Sequence, residues 1–552
     1  MSLKRKYRHL ARYREIANAL AKQGFGYLLE RFDLRDLLSW KQPRERLSER
    51  LGVPRRIFLV LEELGPTFIK LGQILSTRPD LVPRPILEEL EKLQDEVPSF
   101  GADIVEQVIK AELGKPVGEL FIDFVAQPFA SASIGQVHLA RLPNGEQVVV
   151  KVQRPHIEQT VETDLDILFD LARVVQNRTE WGQLYRLVDI VEEFAQSLRA
   201  ELDYTQEGRN TDRFWHGFQD DPNVYIPRIF WDYSSRRVLV LEYVEGIKIS
   251  NQEQLRKSGF DLSRVAKNVV EAMFRQIYEF GFFHSDPHPG NLAVLSGERI
   301  LFMDFGQVGR IDREMKEKTM DLVLGMVRYD SDAVVKSLLN IGVVSHKVNI
   351  AGLKKDVARL QEKYYGLPLS QIQLGAAMRE LMDVSFTYRI RVPAEFTLLM
   401  KSLLTLEGLV KQLDPTVSLF DLAEPLAKKI MRNRYAPGKL RKILQENLLE
   451  ISAIARSLPR RLDKLLTQIE NGDLKLELEH RNLPRYFLRL NAVANRISMS
   501  ILLASLIIGS SLLAQRSSTS ILGGFPIAEI GYLIAALMGL WLVVSIFRSG
   551  RF

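Results

Sequence analysis

The feature that most constrains the fold is a pair of short motifs near the middle of the chain. Residues 284–291 read HSDPHPGN, and residues 303–306 read MDFG. Asn291 follows Asp286 by five positions, which is the spacing of a phosphoryl-transfer loop in which the aspartate addresses the attacking group and the asparagine holds a metal. Asp304 would hold the other Mg²⁺ position, because a hard cation prefers carboxylate oxygen.

An earlier strand completes this motif set. The run VVVKV places Lys151 on a strand that follows a hairpin turn at 143–146, where a lysine would bind the α- and β-phosphates. The order of strands predicts a phosphate-covering loop at 129–137, which reads FASASIGQV and is not glycine-rich. Alanine and serine limit how closely backbone amides wrap a phosphate, so nucleotide handling should differ from that of an ordinary kinase. The loop residues expected at the nucleotide are Ala130, Ser131, Ala132, Ser133, Ile134, Gly135 and Val137.

A zinc site is the other interpretation of the central motif. His284 and His288 have the i, i+4 spacing of a helical metal pair, but Pro287 and Pro289 break any helix there. No third ligand suggests itself nearby, so zinc is disfavoured.

Composition excludes several classes of function. The chain has no cysteine, which excludes disulfides, thiolate metal sites and cysteine nucleophiles. Its net charge of +7 comes from 75 basic and 68 acidic residues that are interspersed, so nucleic acid is not an expected partner. The segment 4–14, KRKYRHLARYR, is a local exception, and on a helix it would suit anionic lipid headgroups or form a solvated face.

Periodicity predicts an α+β chain in five parts. Residues 1–115 read as a helical extension. Residues 116–250 contain a small antiparallel sheet, with helical patterns over 157–215 and strands at 225–233 and 236–244. Residues 251–470 are mainly helical, with a brief strand pair at 292–303, and 471–496 form a linker. The last part, 497–547, is the most apolar.

That last part predicts a membrane hairpin. Residues 497–514 carry no charge, and neither do 531–547. As a helix the first run would span roughly 27 Å, close to the ~30 Å hydrocarbon core. Its serines and glycines also suit a buried hairpin in a soluble domain. The segments before and after the pair of apolar runs carry more basic residues than the short connection between them. Both ends of the pair, together with the preceding domain, are therefore expected on the cytoplasmic side or its equivalent.

Taken together, the motifs resemble the UbiB/AarF family of atypical kinases, a divergent branch of the protein-kinase-like fold. The resemblance covers roughly residues 55–415. Its marks are KLGQILSTRPDLVP, SIGQVH, VVVKVQRP, ELDYTQEGRN, HSDPHPGN and MDFGQVGR. It implies a two-lobe fold with ATP or ADP and Mg²⁺ as cofactors, and a role in ubiquinone, other prenyl-quinone or prenol-lipid biosynthesis.

The resemblance also implies roles for single residues. Glu207 would orient Lys151, although by sequence alone Glu192, Glu193 or Glu201 could serve. A helix carrying Lys70 and Gln73 would fold over the cleft and meet Glu201 and Asp203. Glu242 and Val244 resemble the hinge that contacts adenine.

A peptide substrate is not expected. After Gly306 the chain enters a charged helical pattern without an activation segment, and the triplet Pro393-Ala394-Glu395 has the wrong order for a peptide anchor. A Ser/Thr protein kinase is therefore the least favoured interpretation. The sequence predicts a membrane-anchored, Mg²⁺-dependent kinase or ATPase for a small or lipid substrate, with anionic lipid and quinone or prenol-lipid pathway enzymes as partners. The alternative is a nucleotide-binding, pseudokinase-like scaffold with little turnover.

Overall fold

The computed structural model divides into two compact units, Met1–Lys439 and Leu440–Phe552. It describes residues 3–27, 51–93, 98–179, 182, 185–344, 348–365, 373–419, 422, 483–516 and 527–548. The end of the predicted helical region, 423–470, and the first part of the predicted linker, 471–482, lie outside these residues. The rest of the predicted linker, 483–496, is helical.

Helices make up the described part of the N-terminal extension, as predicted. They are α1 (Leu3–Lys22), α2 (Val53–Leu64), α3 (Pro66–Ser76), α4 (Arg84–Leu90) and α5 (Ala102–Leu113). Proline in the first turn begins α2, α3 and α4, because its fixed φ and missing N–H suit that position.

Part of the basic segment 4–14 contacts protein. Arg12 on α1 lies with its Nε 2.7 Å from Asp164, and it donates to the carbonyl of Leu64 at 2.6 Å. This arginine joins α1 to two later helices.

A five-stranded sheet follows a short helix α6 (Val117–Leu120). Its strands are β1 (Asp123–Phe124), β2 (Ala130–Ser131), β3 (Gly135–Arg141), β4 (Gln147–Gln153) and β6 (Val238–Glu242). All neighbours are antiparallel, and Lys151 on β4 is opposite Val137 on β3 and Leu239 on β6. Because side chains alternate along a strand, burying Val150 and Val152 in the core under the sheet directs Lys151 to the other face.

Helices are inserted between β4 and β6. They are α7 (Ile157–Arg178), α8 (Leu187–Glu201) and α9 (Tyr204–Phe218), and Asp203 caps the start of α9 by accepting from the Thr205 N–H at 3.0 Å. The predicted strand at 225–233 is wrong for most of its length. Only β5 (Val224–Tyr225) is a strand, and a 3₁₀ turn occupies Trp231–Tyr233. Pro227 lies between them and cannot donate to a ladder.

The following region is mainly helical. Its helices are α10 (Gln252–Lys257), α11 (Leu262–Phe274) with a π-helical turn at Arg275–Phe280, α12 (Arg313–Val327), α13 (Ser331–Ile341), α14 (Ile350–Tyr364), α15 (Leu374–Thr387) and α16 (Ala394–Leu413). Its strands are β7 (Ile247–Lys248), β8 (Phe282–His284), β9 (Leu292–Leu295), β10 (Arg299–Phe302) and β11 (Val308–Arg310). The predicted pair at 292–303 is present as β9 and β10, which are antiparallel. Because β8 pairs with β11, the two central motifs are held side by side.

The second unit contains the helices α17 (Leu483–Arg516) and α18 (Ile527–Arg548). In the described part of the chain, no helix has the length and apolar character needed to cross a membrane. The predicted transmembrane hairpin is therefore not supported. Charges lie inside both helices: α17 begins well before the uncharged run and includes Arg485, Arg489 and Arg496, and α18 includes Glu529.

Candidate active site

A cleft of about 420 Å³ lies between the five-stranded sheet and the strands β9 and β10. All ten predicted nucleotide residues line it, together with residues from the end of β10. The predicted residues on its wall are Ala130, Ser131, Ala132, Ser133, Ile134, Gly135, Val137, Lys151, Glu242 and Val244. Apolar side chains such as Val149, Leu241 and Leu301 line one part, which suits the flat face of a base.

Lys151 is the central charge of the cleft. Its ammonium group forms an ion pair with Glu207 on α9, and not with Glu192, Glu193 or Glu201. Burial disfavours the charged lysine, but Glu207 and Asp304 outweigh that effect and raise the pKa of Lys151 above its usual value. Lys151 is therefore a fixed positive charge at neutral pH.

Asp304 faces Lys151 from the opposite side of the cleft. The attraction of Lys151 is the main reason why the pKa of Asp304 falls to about 2, although burial opposes the shift. Asp304 has a φ of 58°, a left-handed conformation that is uncommon for a non-glycine residue. Its Oδ1 accepts the N–H of Gly306 at 3.1 Å, and Asn210 on α9 donates to the carbonyl of Phe305 at 3.0 Å. The same helix therefore carries the partner of Lys151 and a hydrogen bond to the Asp-Phe-Gly turn.

His284 joins the two central motifs. Its Nδ1 accepts the N–H of Asp286 at 3.1 Å, and its Nε2 lies 3.1 Å from the carbonyl of Met303, to which it donates. Burial is the main cause that lowers the pKa of His284, so the ring is neutral. Asn291 donates to the carbonyl of Asp286 at 3.3 Å. Asp286 and Asn291 are not on the wall of the cleft that holds Lys151 and Asp304, and lie beside it on the loop after β8.

The helix α3 reaches the same cleft. Lys70 on α3 lines the cleft, and its Nζ lies 2.6 Å from Glu201. Asp203 also lines the cleft and caps α9, whereas Gln73 donates to the carbonyl of Leu93 at 3.2 Å and is not on the cleft wall. The structure thus brings Lys70, Glu201 and Asp203 together and places Gln73 in the packing behind them.

The segment after α3 is fastened by buried charges. Arg78 donates two hydrogen bonds of 2.8 Å to Asp80, and its third nitrogen lies 3.1 Å from Glu193 on α8. Asp80 also accepts the N–H of Val392 at 3.3 Å, and Arg391 pairs with Glu193. One ion network therefore holds the end of α3 against an inserted helix and the start of α16.

Gly135 shows why one position of the predicted phosphate-covering loop is not free to vary. A Cβ at this position would lie 2.3 Å from the Tyr204 hydroxyl and 2.5 Å from the Val152 carbonyl. Glycine allows the loop to approach α9 and β4, so Gly135 serves packing here.

Glu242 accepts a hydrogen bond from the Tyr225 hydroxyl at 2.8 Å, which turns its carboxylate away from a hinge role and leaves its backbone at the cleft.

The donor set fits Mg²⁺ better than zinc. Asp304 is ionised, and Asn291 supplies an amide oxygen on the neighbouring loop, which together with phosphate oxygens matches the mixed ligands that Mg²⁺ takes. Among the described residues, no group of three His, Asp or Glu side chains could hold a metal alone. His288 accepts the N–H of Gly290 at 3.0 Å and both nitrogens of His284 are engaged, so the pair does not form a zinc site.

Three family models match the chain. They are the ABC1 atypical kinase-like domain over residues 92–338, the UbiB helical domain over 357–418, and the ABC1/UbiB kinase-like C-terminal domain over 481–548. An uncharacterized protein in the hydrogenase 1 5′ region of Clostridium pasteurianum is 34% identical over 98% of this chain and 99% of its own length.

The chain belongs to the ABC1/UbiB family.

Relatives within the ABC1/UbiB family have names that indicate kinases. The probable protein kinase UbiB of Marinobacter nauticus is 35% identical over 76% of this chain and 77% of its own. The chloroplastic protein Activity of bc1 complex kinase 7 of Arabidopsis thaliana is 38% identical over 75% of this chain and 61% of its own. The predicted family and a kinase-like fold of mixed helices and strands are thereby confirmed.

Sequence reasoning missed several residues at the site of this ABC1/UbiB chain. Lys401 on α16 lies 3.1 Å from the carboxylate of Asp286, and Ser402 donates to the carbonyl of His284 at 3.1 Å. Neither belongs to a motif, and 115 residues separate Lys401 from Asp286, so no local signal marks it. Asn210 could have been found, because it ends the quoted motif ELDYTQEGRN.

Proposed function

We propose that the chain is an atypical kinase or ATPase that binds ATP with Mg²⁺ in the cleft and transfers the γ-phosphoryl group to water or to a small or lipid acceptor. The alternating charges Glu207, Lys151 and Asp304 carry this proposal. An ionised carboxylate opposite a fixed ammonium group, on the wall of a cleft large enough for a nucleotide, is the arrangement that phosphoryl transfer requires.

Each charge has a role in this proposal. Lys151 binds the α- and β-phosphates, and Glu207 holds Lys151 in place. Asp304 and Asn291 would hold Mg²⁺, which neutralises phosphate charge when bound. Asp286 accepts the proton of the attacking hydroxyl or water. The oxygen of that hydroxyl or water forms a bond to the γ-phosphorus, and the bond between the γ-phosphorus and the β-phosphate oxygen breaks. The product is ADP with phosphate or a phosphorylated acceptor.

The setting that we propose is a lipid surface. The family resemblance suggests support of prenyl-quinone or prenol-lipid biosynthesis, with enzymes of such a pathway as partners. Exposed apolar side chains on both C-terminal helices favour contact with lipid, since large exposed apolar patches mark interaction sites. Examples are Leu512 at 61% and Leu540 at 65% exposure. We propose anionic lipid on the cytoplasmic or equivalent side of a membrane.

A nucleotide-binding scaffold is the second candidate. Lys70, paired with Glu201, reaches into the cleft from a helix outside the sheet. A helix at this place restricts access of an acceptor, which favours slow turnover or binding without turnover. The two candidates differ in whether ATP is consumed.

Turnover measured with the Asp304→Asn variant separates them. We expect wild-type protein to hydrolyse ATP in the presence of Mg²⁺ and anionic vesicles, and the variant to lose about 100-fold or more, because a neutral amide is a poorer metal ligand and removes charge from the site. Asp332→Asn is a matched control, since Asp332 is on the surface of α13 and pairs with Lys354. Equal rates of ATP hydrolysis for wild type and Asp304→Asn, with nucleotide still bound, would contradict the enzyme and support the nucleotide-binding scaffold.

A further inference from the structure

Lys401 adds a cation to the loop after β8. Its Nζ lies 3.1 Å from Oδ2 of Asp286, and the two side chains are 27% and 32% exposed. In the part of the chain that the structure describes, no hydrogen bond is directed to the other carboxylate oxygen, Oδ1. Lys401 therefore engages one carboxylate oxygen of Asp286, and the second oxygen receives no hydrogen bond from the described residues.

The position of Lys401 is fixed by its neighbour. Ser402 is fully buried and donates to the carbonyl of His284, two residues before Asp286. His284 in turn accepts the N–H of Asp286 through its Nδ1. The helix α16 and the loop are thus joined at two adjacent residues, which restricts the distance between the ammonium and the carboxylate.

Among the residues that the structure describes, no other cation is paired with the Asp286 carboxylate. The loop HSDPHPGN contains neither lysine nor arginine, and His288 accepts a hydrogen bond from within the loop. Lys151 pairs with Glu207 and Lys70 pairs with Glu201. A loop that must place a carboxylate beside transferring phosphoryl oxygens needs a nearby positive charge, because like charges would otherwise turn the carboxylate away.

We propose that Lys401 is a positioning residue for phosphoryl transfer: it holds Oδ2 of Asp286 so that Oδ1 addresses the acceptor. This inference rests on the proposed function and deepens it. In this proposal α16, which lies outside the motifs, helps to orient the attacking group and does not bind the nucleotide. A loss at this position should therefore appear in kcat and not in nucleotide affinity.

The test compares Lys401→Met and Lys401→Arg with wild type by ATP turnover and by titration with a fluorescent ATP analogue. We expect Lys401→Met to lower kcat about 10- to 100-fold, the effect of a misplaced catalytic group, with the analogue's Kd within about twofold. Lys401→Arg keeps the positive charge and should recover most of the rate. Lys411→Met is the control, since Lys411 is on the same helix and pairs with Glu407.

Each remaining outcome has a definite meaning. A kcat within about twofold of wild type for Lys401→Met, or a loss that Lys401→Arg does not recover, contradicts the inference. Equal losses in kcat and nucleotide affinity mean that Lys401 is structural. Lys401→Gln replaces the methionine variant if that protein does not fold. Wild type without turnover contradicts the proposed function and the inference with it, whereas turnover that is lost in Asp304→Asn and kept in Lys401→Met contradicts the inference alone.

Discussion

The ion pair of Lys151 and Glu207 shows what a single residue contributes at this site. Their side chains are 18% and 11% exposed, so both charges have lost most of their hydration. Their mutual attraction offsets that loss of hydration only while both charges are present. Function accounts for such a pair better than stability does, because apolar residues of similar volume would fill the same space at no electrostatic cost.

Removing one charge of this pair should therefore cost more than removing both. We expect Lys151→Met to lower the free energy of unfolding by about 3–5 kcal/mol, because Glu207 is left buried without its partner. The double variant Lys151→Met/Glu207→Leu should recover most of that loss. Urea denaturation followed by circular dichroism measures both. Losses that simply add would show that the two charges are not coupled.

Helix α3 shows how packing places a side chain at the element scale. Gly72 lies one turn from the end of this helix, where a Cβ would approach Cδ1 of Leu93 to 2.2 Å and Cδ1 of Leu61 to 3.0 Å. The glycine allows α3 to pack against these leucines, and Lys70 on the same helix then reaches Glu201. Gly72 belongs to the quoted motif for a steric reason.

Gly72→Ala should move α3 outward. We expect a loss of about 1–3 kcal/mol in unfolding free energy from overpacking, and faster exchange of bound nucleotide, because Lys70 is withdrawn from the cleft. Stopped-flow displacement of a fluorescent nucleotide measures the second effect. Gly408→Ala on α16 is the control: nothing lies within 4 Å of its added Cβ, so it should be neutral or stabilising. An unchanged rate of nucleotide exchange in Gly72→Ala would show that the position of α3 does not control access of nucleotide to the cleft.

The elements differ in how far the sequence predicts them. β4 is predictable because its run of valines after a hairpin turn is typical of a strand. The strand at 225–233 is not, because its short apolar run does not reveal that pairing beyond Pro227 is reduced to an isolated bridge between Ile229 and Leu241. Glu207 is identified by resemblance, since spacing alone leaves several glutamates. Neither spacing nor resemblance identifies Lys401, because a contact across 115 residues depends on tertiary packing that no local pattern encodes.

At the scale of the whole molecule, buried histidines make stability depend on pH. His138 and His284 are almost fully buried, and burial is the main reason why the pKa of each is lowered. In the unfolded chain these rings titrate near about 6.5. Below that pH the unfolded state binds protons that the folded state does not, so the free energy of unfolding falls as pH falls.

We therefore expect a lower urea midpoint at pH 5.5 than at pH 7.5. His284→Gln keeps a side-chain donor for the Met303 carbonyl but cannot titrate, so its midpoint should change less between the two values. A variant with the wild-type dependence on pH would show that other groups are responsible. A midpoint that rises on acidification would contradict the assignment of both rings as neutral.

The contact between α16 and the loop after β8 has a consequence for synthesis of the chain. A ribosome makes the motifs of the cleft first and adds Lys401 and Ser402 more than a hundred residues later. Because domains fold from the N-terminus during translation, a nascent chain that ends before α16 has the aspartate without its ammonium partner. Under the proposed function, competence for ATP consumption is thus acquired late in elongation, after the strands that line the cleft have already emerged.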